Sequence, residues 1–292
     1  MKRLLRWLGI GVLSVLALLL IALVVIYVIA EVKLRHRYTV PSASIALPTD
    51  SLSIAEGFRL AKLRGCSGGC HGDNIEGGMF IDEWWLARLP APNLTVAVRD
   101  YSDGELVGII RHGVRPDGRS VIGMPSDMFR PLTDADLGRI LAYLRSVPST
   151  TGESRGVSIG PMGRIGLVIG MYNVVAVDVR RAEEVASSYP AAGDSVAAGA
   201  YLARTVCTEC HGLDLTGSPE GSPPDLRIAA GYSLEAFTHL MRTGKGLGER
   251  DLKLMSEVAR ERFAHFTDAE IGELHRYLIA RARQPVTTSQ AE

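Results

Sequence analysis

Two stretches hold the residue types that could do chemistry: Cys66-Ser67-Gly68-Gly69-Cys70-His71 and Cys207-Thr208-Glu209-Cys210-His211. In the second, an imidazole follows directly on two thiols that stand at i and i+3. This Cys-x-x-Cys-His arrangement is the one by which a c-type haem is bonded to a chain. Two thioethers need two thiols about a helical turn apart, and the next residue must bring its imidazole to the iron from the same side. The first stretch ends in the same way but has one more residue between the cysteines. Positions i and i+4 also share a helix face, and the two glycines predict a small bulge in that attachment loop. The chain has four cysteines, all of them in these stretches, so none remains for a disulfide framework. The expectation is two covalently bound haem c groups, on Cys66 with Cys70 and on Cys207 with Cys210, with His71 and His211 as iron ligands.

Other uses of the same residues fit less well. A Cys-x-x-Cys redox pair expects a βαβ context, which the surrounding pattern does not supply. Zinc would lack a fourth ligand of obvious spacing at either place.

A histidine-bound haem iron commonly takes a methionine sulfur on its other side, which raises the potential. Met124, followed by Pro125, and Met255, between Leu254 and Ser256, lie after an Arg-x-Gly loop and before a final helix signal in their respective halves. They are the expected sixth ligands. Their local competitors are Met128 and Met241, and a lone methionine is more often apolar filler. Arg111 and Arg242, in matching places, could neutralise haem propionates or simply be solvated. Pro92 and Pro224, each shortly after a haem histidine, could brace its ring through the loop backbone. His112 reads as a loop residue near a haem edge, and Trp84 and Trp85 as haem-edge cover or core.

Several elements must position these residues. Lys2, Arg3 and Arg6 precede an uncharged apolar run of 24 residues, Trp7 to Ala30. As a helix it spans about 36 Å, enough to cross a hydrocarbon core of about 30 Å. It is longer than a signal peptide's apolar region and no small-x-small cleavage site ends it, so it reads as an uncleaved anchor in membrane lipid. Residues 1–37 are then a cytoplasmic start and transmembrane anchor, and 38–53, with Pro41 and Pro48, an extended stalk. Residues 54–148 form a first domain. Its opening helix includes Gly57 and Leu60, and an apolar loop runs from Phe80 to Leu89. Its closing helix starts at a capping-box-like Thr133 with Asp136 and presents Leu137, Ile140, Leu141 and Leu144 on one face. Residues 149–193 are a connector whose apolar part, Ile165 to Val177, is too short for a second span and reads as packing between the domains. An interfacial helix is the alternative there. Residues 194–284 form a second domain and 285–292 a flexible tail.

The second domain repeats the first. Gly199, Leu202 and Ala203 match Gly57, Leu60 and Ala61, and Tyr232-Ser233 with Arg242-x-Gly244 match Tyr101-Ser102 with Arg111-x-Gly113. Thr267-Asp268-Ala269-Glu270 with Tyr277-Leu278 match Thr133-Asp134-Ala135-Asp136 with Tyr143-Leu144. The length differences fall in loops, as an internal duplication predicts. The 292 residues suffice for two small domains and an anchor, and 32 basic against 32 acidic side chains give no nucleic-acid footprint. Few alternating β-branched runs occur, so the fold class expected is mainly α.

On these landmarks the chain resembles class I cytochrome c twice over, from Gly57 to Ser146 and from Gly199 to Ala282. Gly57-Phe58 and Gly199-x-Tyr201 are similar to that family's first helix, which crosses the last helix near Tyr143-Leu144 and Tyr277-Leu278. As a whole the chain resembles membrane-anchored dihaem cytochromes c, including subunits that serve periplasmic dehydrogenases and respiratory oxidases. It departs from the family's pattern in the Cys-x-x-x-Cys spacing and in a Met255 not followed by proline. The resemblance implies an N-terminal transmembrane helix followed by two tandem cytochrome c domains, transferring electrons between a periplasmic or membrane donor and an acceptor. Redox partners of the implied kind are a dehydrogenase, a quinol-oxidising complex, an oxidase or a soluble cytochrome. The alternative is a dihaem oxidoreductase, peroxidase-like or thiosulfate-dehydrogenase-like, with one catalytic haem, but no general acid or nucleophile is visible. Haem attachment takes place outside the cytoplasmic membrane. The expected location is therefore the bacterial inner membrane, single-pass, N-terminus inside and haem domains in the periplasm.

Overall fold

A computed structural model describes residues 2–151, 156–188, 196–218 and 222–284. The expected tail, 285–292, and parts of the connector lie outside the described residues. The chain is mainly helical. It begins with α1 (Lys2–Arg35), a single 34-residue helix with Lys33 and Arg35 in its last turn, where cations suit the helix dipole. Its apolar run is exposed until Ala30, which is buried.

After α1 the chain is extended, as expected of a stalk, but it lies flat on the first half of the molecule. Tyr38 N donates to Gly118 O at 2.8 Å. Ala43, Ile45 and Leu47 pack on the first apolar core. Two glycines make room for this strap: a Cβ on Gly104 would stand 2.6 Å from Ala43 O, and one on Gly138 would stand 2.5 Å from Ala46 O.

The first half runs through α2 (Ser51–Leu63), β1 (Gly78–Glu83), β2 (Ala87–Ala91), α3 (Leu94–Asp100), α4 (Asp103–His112), α5 (Ser126–Phe129) and α6 (Asp134–Ser146). Polar residues start the helices. Asp50, Asn93, Ser102 and Thr133 each accept a backbone N–H of the following first turn. Gly113, in the left-handed region at φ 64°, ends α4. α2 crosses α6 at Gly57, where a Cβ would stand only 2.0 Å from Arg139 O. Leu60, Val98, Leu137, Ile140 and Leu141 close the core under this crossing. Burying each such side chain stabilises the fold by about 1.5–3 kcal/mol. The stretch expected as an apolar loop, Phe80 to Leu89, is instead an antiparallel hairpin of β1 and β2, which β3 (Ser158–Ile159) extends.

α7 (Pro161–Val168) and α8 (Val175–Ser188) follow. The connector was expected between the two halves, but its described part packs elsewhere. Leu167 and Val174 form a small core with Ala30 at the foot of α1, and α8 lies on α4 and α5.

The second half comprises α9 (Ala197–Leu202), a π-helical turn (Ala203–Cys207), α10 (Thr208–His211) and a 3-10 turn (Leu226–Gly231). It continues with α11 (Leu234–Thr243), the two-residue strands β4 (Lys245–Gly246) and β5 (Arg250–Asp251), α12 (Leu254–Glu261) and α13 (Asp268–Ala282). α9 crosses α13 at Gly199, where a Cβ would stand 2.1 Å from Glu273 O. Ser233 and Thr267 cap α11 and α13, and Gly244 ends α11 in the left-handed region. Gly57 and Gly199, Ser102 and Ser233, Gly113 and Gly244, and Thr133 and Thr267 thus have the same structural duty in both halves.

The halves meet directly. Arg59 on α2 forks onto the Glu270 carboxylate at 2.7 and 2.8 Å and donates to His265 O. Tyr201 OH donates to Asp136 Oδ2 at 2.6 Å. Leu63, the last residue of α2, is buried in the second half's core.

Candidate haem attachment sites

In the second half the helical backbone runs straight into the chemistry. The π-helical turn ends on Cys207, and α10 presents Cys210 and His211 one turn later. The first half does this differently. Cys66 and Cys70 do not share a helix face as expected, because the helix stops at Leu63 and Gly65 turns left-handed at φ 75°. Cys66 N still reaches five residues back, to Ala61 O at 2.9 Å. The extra residue is absorbed at the glycines. Gly68 has φ 79°, and a Cβ on Gly69 would stand 2.4 Å from Gly65 O. Ser67, fully buried, pins the loop by donating to Asp73 O at 2.7 Å. This is the predicted bulge.

Both histidines are held alike. His71 Nδ1 lies 2.9 Å from Pro92 O, and His211 Nδ1 lies 2.8 Å from Pro224 O. A carbonyl oxygen only accepts, so Nδ1 must carry the proton and Nε2 keeps its lone pair. Burial lowers the pKa of both rings below the ordinary histidine value, partly opposed by these bonds. Each imidazole is therefore neutral and aimed by its loop, the state in which it binds a metal. The brace expected of Pro92 and Pro224 is present.

No disulfide joins the cysteines. Burial pushes the Cys66 thiol up to about 11 and Cys207 up to about 12, and it raises Cys70 and Cys210 as well. A redox-active pair needs a thiol of lowered pKa, so these surroundings do not make one. Neutral paired thiols beside a neutral, oriented imidazole are the donor set that a c-type haem requires. The residues present fit that group in both halves.

The methionines differ in burial. Met128 and Met241 are core residues, 1% and 3% exposed, whereas Met124 and Met255 are only partly buried at the margins of the two cores. A signal not read in the sequence is a fully buried serine just after each candidate ligand. Ser126 Oγ donates to Ile109 O at 3.1 Å, and Ser256 Oγ donates to Gly244 O. Ser126 ties the loop that carries Met124 to α4, and Ser256 ties the first turn of α12, which carries Met255, to the end of α11.

Two expectations are corrected. Arg111 and Arg242 do not point their charge to a free site. Arg111 donates to Leu132 O and pairs with Asp134 at 2.7 Å. Arg242 donates to Phe266 O and pairs with Asp268, also at 2.7 Å. They clamp the start of the final helix in each half. Trp84 and Trp85 fill no core either; they are exposed at the β1–β2 turn, with Trp85 Nε1 donating to Glu83.

Sequence reading also missed two arginines between the attachment stretches. Arg262 Nη1 pairs with Glu209, inside the second stretch, at 2.7 Å, and its guanidinium packs on Gly65, next to Cys66. Arg64 is 2% exposed, 3.4 Å from Thr205 Oγ1, and its Nε and Nη1 have no hydrogen-bond partner. Neither lies in a recognisable pattern, because the partners of each, Glu209 and Gly65 for Arg262 and Asp136 and Thr205 for Arg64, are drawn from both halves.

No protein-family model matches the chain. It is similar to the fructose dehydrogenase cytochrome subunit of Gluconobacter japonicus, 25% identical over 290 residues, which cover 88% of this chain and 58% of that protein. The chain thus spans less than two thirds of that relative's length.

Proposed function

We propose that the chain is a membrane-anchored cytochrome that carries two covalently bound c-type haems and transfers electrons between a donor and an acceptor. The observation that carries the reading is the duplicated donor set, with each attachment histidine bonded through Nδ1 to a proline carbonyl and its Nε2 lone pair left free. The likeness to a dehydrogenase's cytochrome subunit supports the same class, electron transfer by bound haem, with a dehydrogenase as the partner class for the donor.

In this reading Cys66 with Cys70, and Cys207 with Cys210, hold the two groups as thioethers. His71 and His211, with Met124 and Met255, would supply the ligands of the two irons. When bound, each group supplies the reversible Fe(III)/Fe(II) change, the whole of the chemistry required. The chain's own residues do the rest. Pro92 O and Pro224 O fix the imidazole tautomer and raise its basicity as a ligand. Ser126 and Ser256 set where the thioether sulfurs sit. Arg262, paired with Glu209, and Arg64, 3.7 Å from Asp136, fill the space between the two sites with compensated charge. The apolar helix α1 holds the assembly in a bilayer as a single-pass anchor, N-terminus inside the bacterial cytoplasmic membrane.

The test is haem counting. Protein produced in a host that matures c-type cytochromes should retain haem on denaturing electrophoresis, at two per chain by alkaline pyridine absorbance. A colourless chain, or one whose haem is lost on denaturation, overturns the reading.

A further inference from the structure

Outside α1, one group of exposed apolar side chains lies on the β1–β2 turn and along α7. Trp84 and Trp85 form the β1–β2 turn, Met162 sits in the first turn of α7, and Met171 follows that helix; Trp84 and Met171 are 71% and 78% exposed. Their position relative to α1 is fixed by a chain of contacts. Met162 N donates to Trp85 O at 2.9 Å and Gly160 N to Leu86 O at 2.9 Å, so the tryptophan turn rides on the start of α7. α7 in turn is bound to the end of α1. Arg164 pairs with Glu31 at 2.8 Å and stacks its guanidinium 4.9 Å from the Tyr27 ring, and Lys33 Nζ donates to Leu167 O at 2.9 Å.

Tyr27 belongs to the final turn of the uncharged run, and Met162 lies two residues before the arginine that stacks on it. The patch is therefore held beside the place where α1 leaves its apolar stretch. Tryptophan suits such a boundary, with an apolar body and one polar handle. Here that handle is already bonded to Glu83. Lys33, Arg35 and Arg37 follow the apolar run within seven residues of its end, the place where cations suit anionic headgroups.

We propose that the Trp84–Trp85 turn and α7 form an interfacial foot that rests in the headgroup and upper acyl region of the bilayer around α1. The occupant is lipid, because the patch is continuous with a helix face that only lipid would cover. This rests on the reading of α1 as an anchor, and the experiment separates the two.

The haem-loaded full chain is placed in nanodiscs of phosphatidylcholine and phosphatidylglycerol, with photoreactive benzoyl-phenylalanine substituted singly for Trp84, Met162, Leu19 or Leu247. After irradiation, intact mass reports a lipid adduct and electrophoresis reports chain–chain products. The expected result is lipid adducts at positions 84, 162 and 19 and none at 247, an exposed apolar site in the second half. Adducts at 19 without adducts at 84 and 162 overturn the foot and leave the anchor standing. No adduct at 19 overturns the anchor and the foot with it. Chain–chain products at 84 and 162 in place of lipid adducts overturn the proposal and make this face a contact between copies.

Discussion

The two halves reach one arrangement from unequal sequences. In the second half a π-helical turn delivers Cys207 and a short helix delivers Cys210 and His211. In the first half the helix has already stopped, and a left-handed glycine and two more glycines carry the chain through the longer gap. The ends agree nonetheless: a proline carbonyl holds each imidazole at 2.9 or 2.8 Å. What is kept is the orientation of the ring, the part that an iron ligand cannot relax. What differs is the backbone path to the thiols, which tolerates a spare residue when glycine can take positive φ.

The sharpest way to break this equivalence is to remove the thiols from one half at a time. Cys207→Ala with Cys210→Ala should leave one haem per chain, and Cys66→Ala with Cys70→Ala should do the same; pyridine haemochrome absorbance reads both. If the second pair of changes left two haems, the longer first stretch would not be an attachment site. Next, Met124→Ala or Met255→Ala should each abolish the sulfur-to-iron band of one haem only and lower its potential, measured by spectroelectrochemical titration. Unchanged spectra in both variants would remove methionine from the ligand set.

The helix crossings test whether the halves share more than their sites. Gly57→Ala and Gly199→Ala each drive a methyl into a carbonyl about 2 Å away. Each should cost on the order of 3 kcal/mol in denaturant melts, and a clear inequality would mean that one crossing yields. The smallest effect concerns the contact between the halves. The Arg59 guanidinium holds the Glu56 carboxyl below its ordinary value of 4.5 against the opposing effect of burial. A depressed carboxyl stabilises the fold above that ordinary value, and the contribution is lost as pH falls through the lower folded value. Acid should therefore weaken this pair within α2, whose arginine also reaches Glu270, only below about 4.5, and Glu56→Gln should flatten that limb of the stability profile.

Much of this was legible in the sequence because it is local. The apolar run of α1, the caps at Thr133 and Thr267 and the two cysteine–histidine stretches each declare themselves within a few residues. The duplication was legible because order along the chain is preserved. The hairpin at 78–91 was not. Its residues are exposed on both faces for most of β1, so no alternation marks it, and Pro90 sits within β2. Arg111 and Arg242 were misread for another reason. Their partners, Leu132 with Asp134 and Phe266 with Asp268, lie 21 to 26 residues on, and only folding brings them near. Arg262 and Arg64 were invisible until the two halves were placed against each other.

The strap after α1 leaves no slack. From Tyr38 to Leu47 the chain lies against the first half, so that half cannot wander on a leash as a tethered carrier would. On the proposed reading, a haem carrier mounted in this way works as a fixed relay post, and any shuttling over distance falls to whichever protein or small carrier visits it.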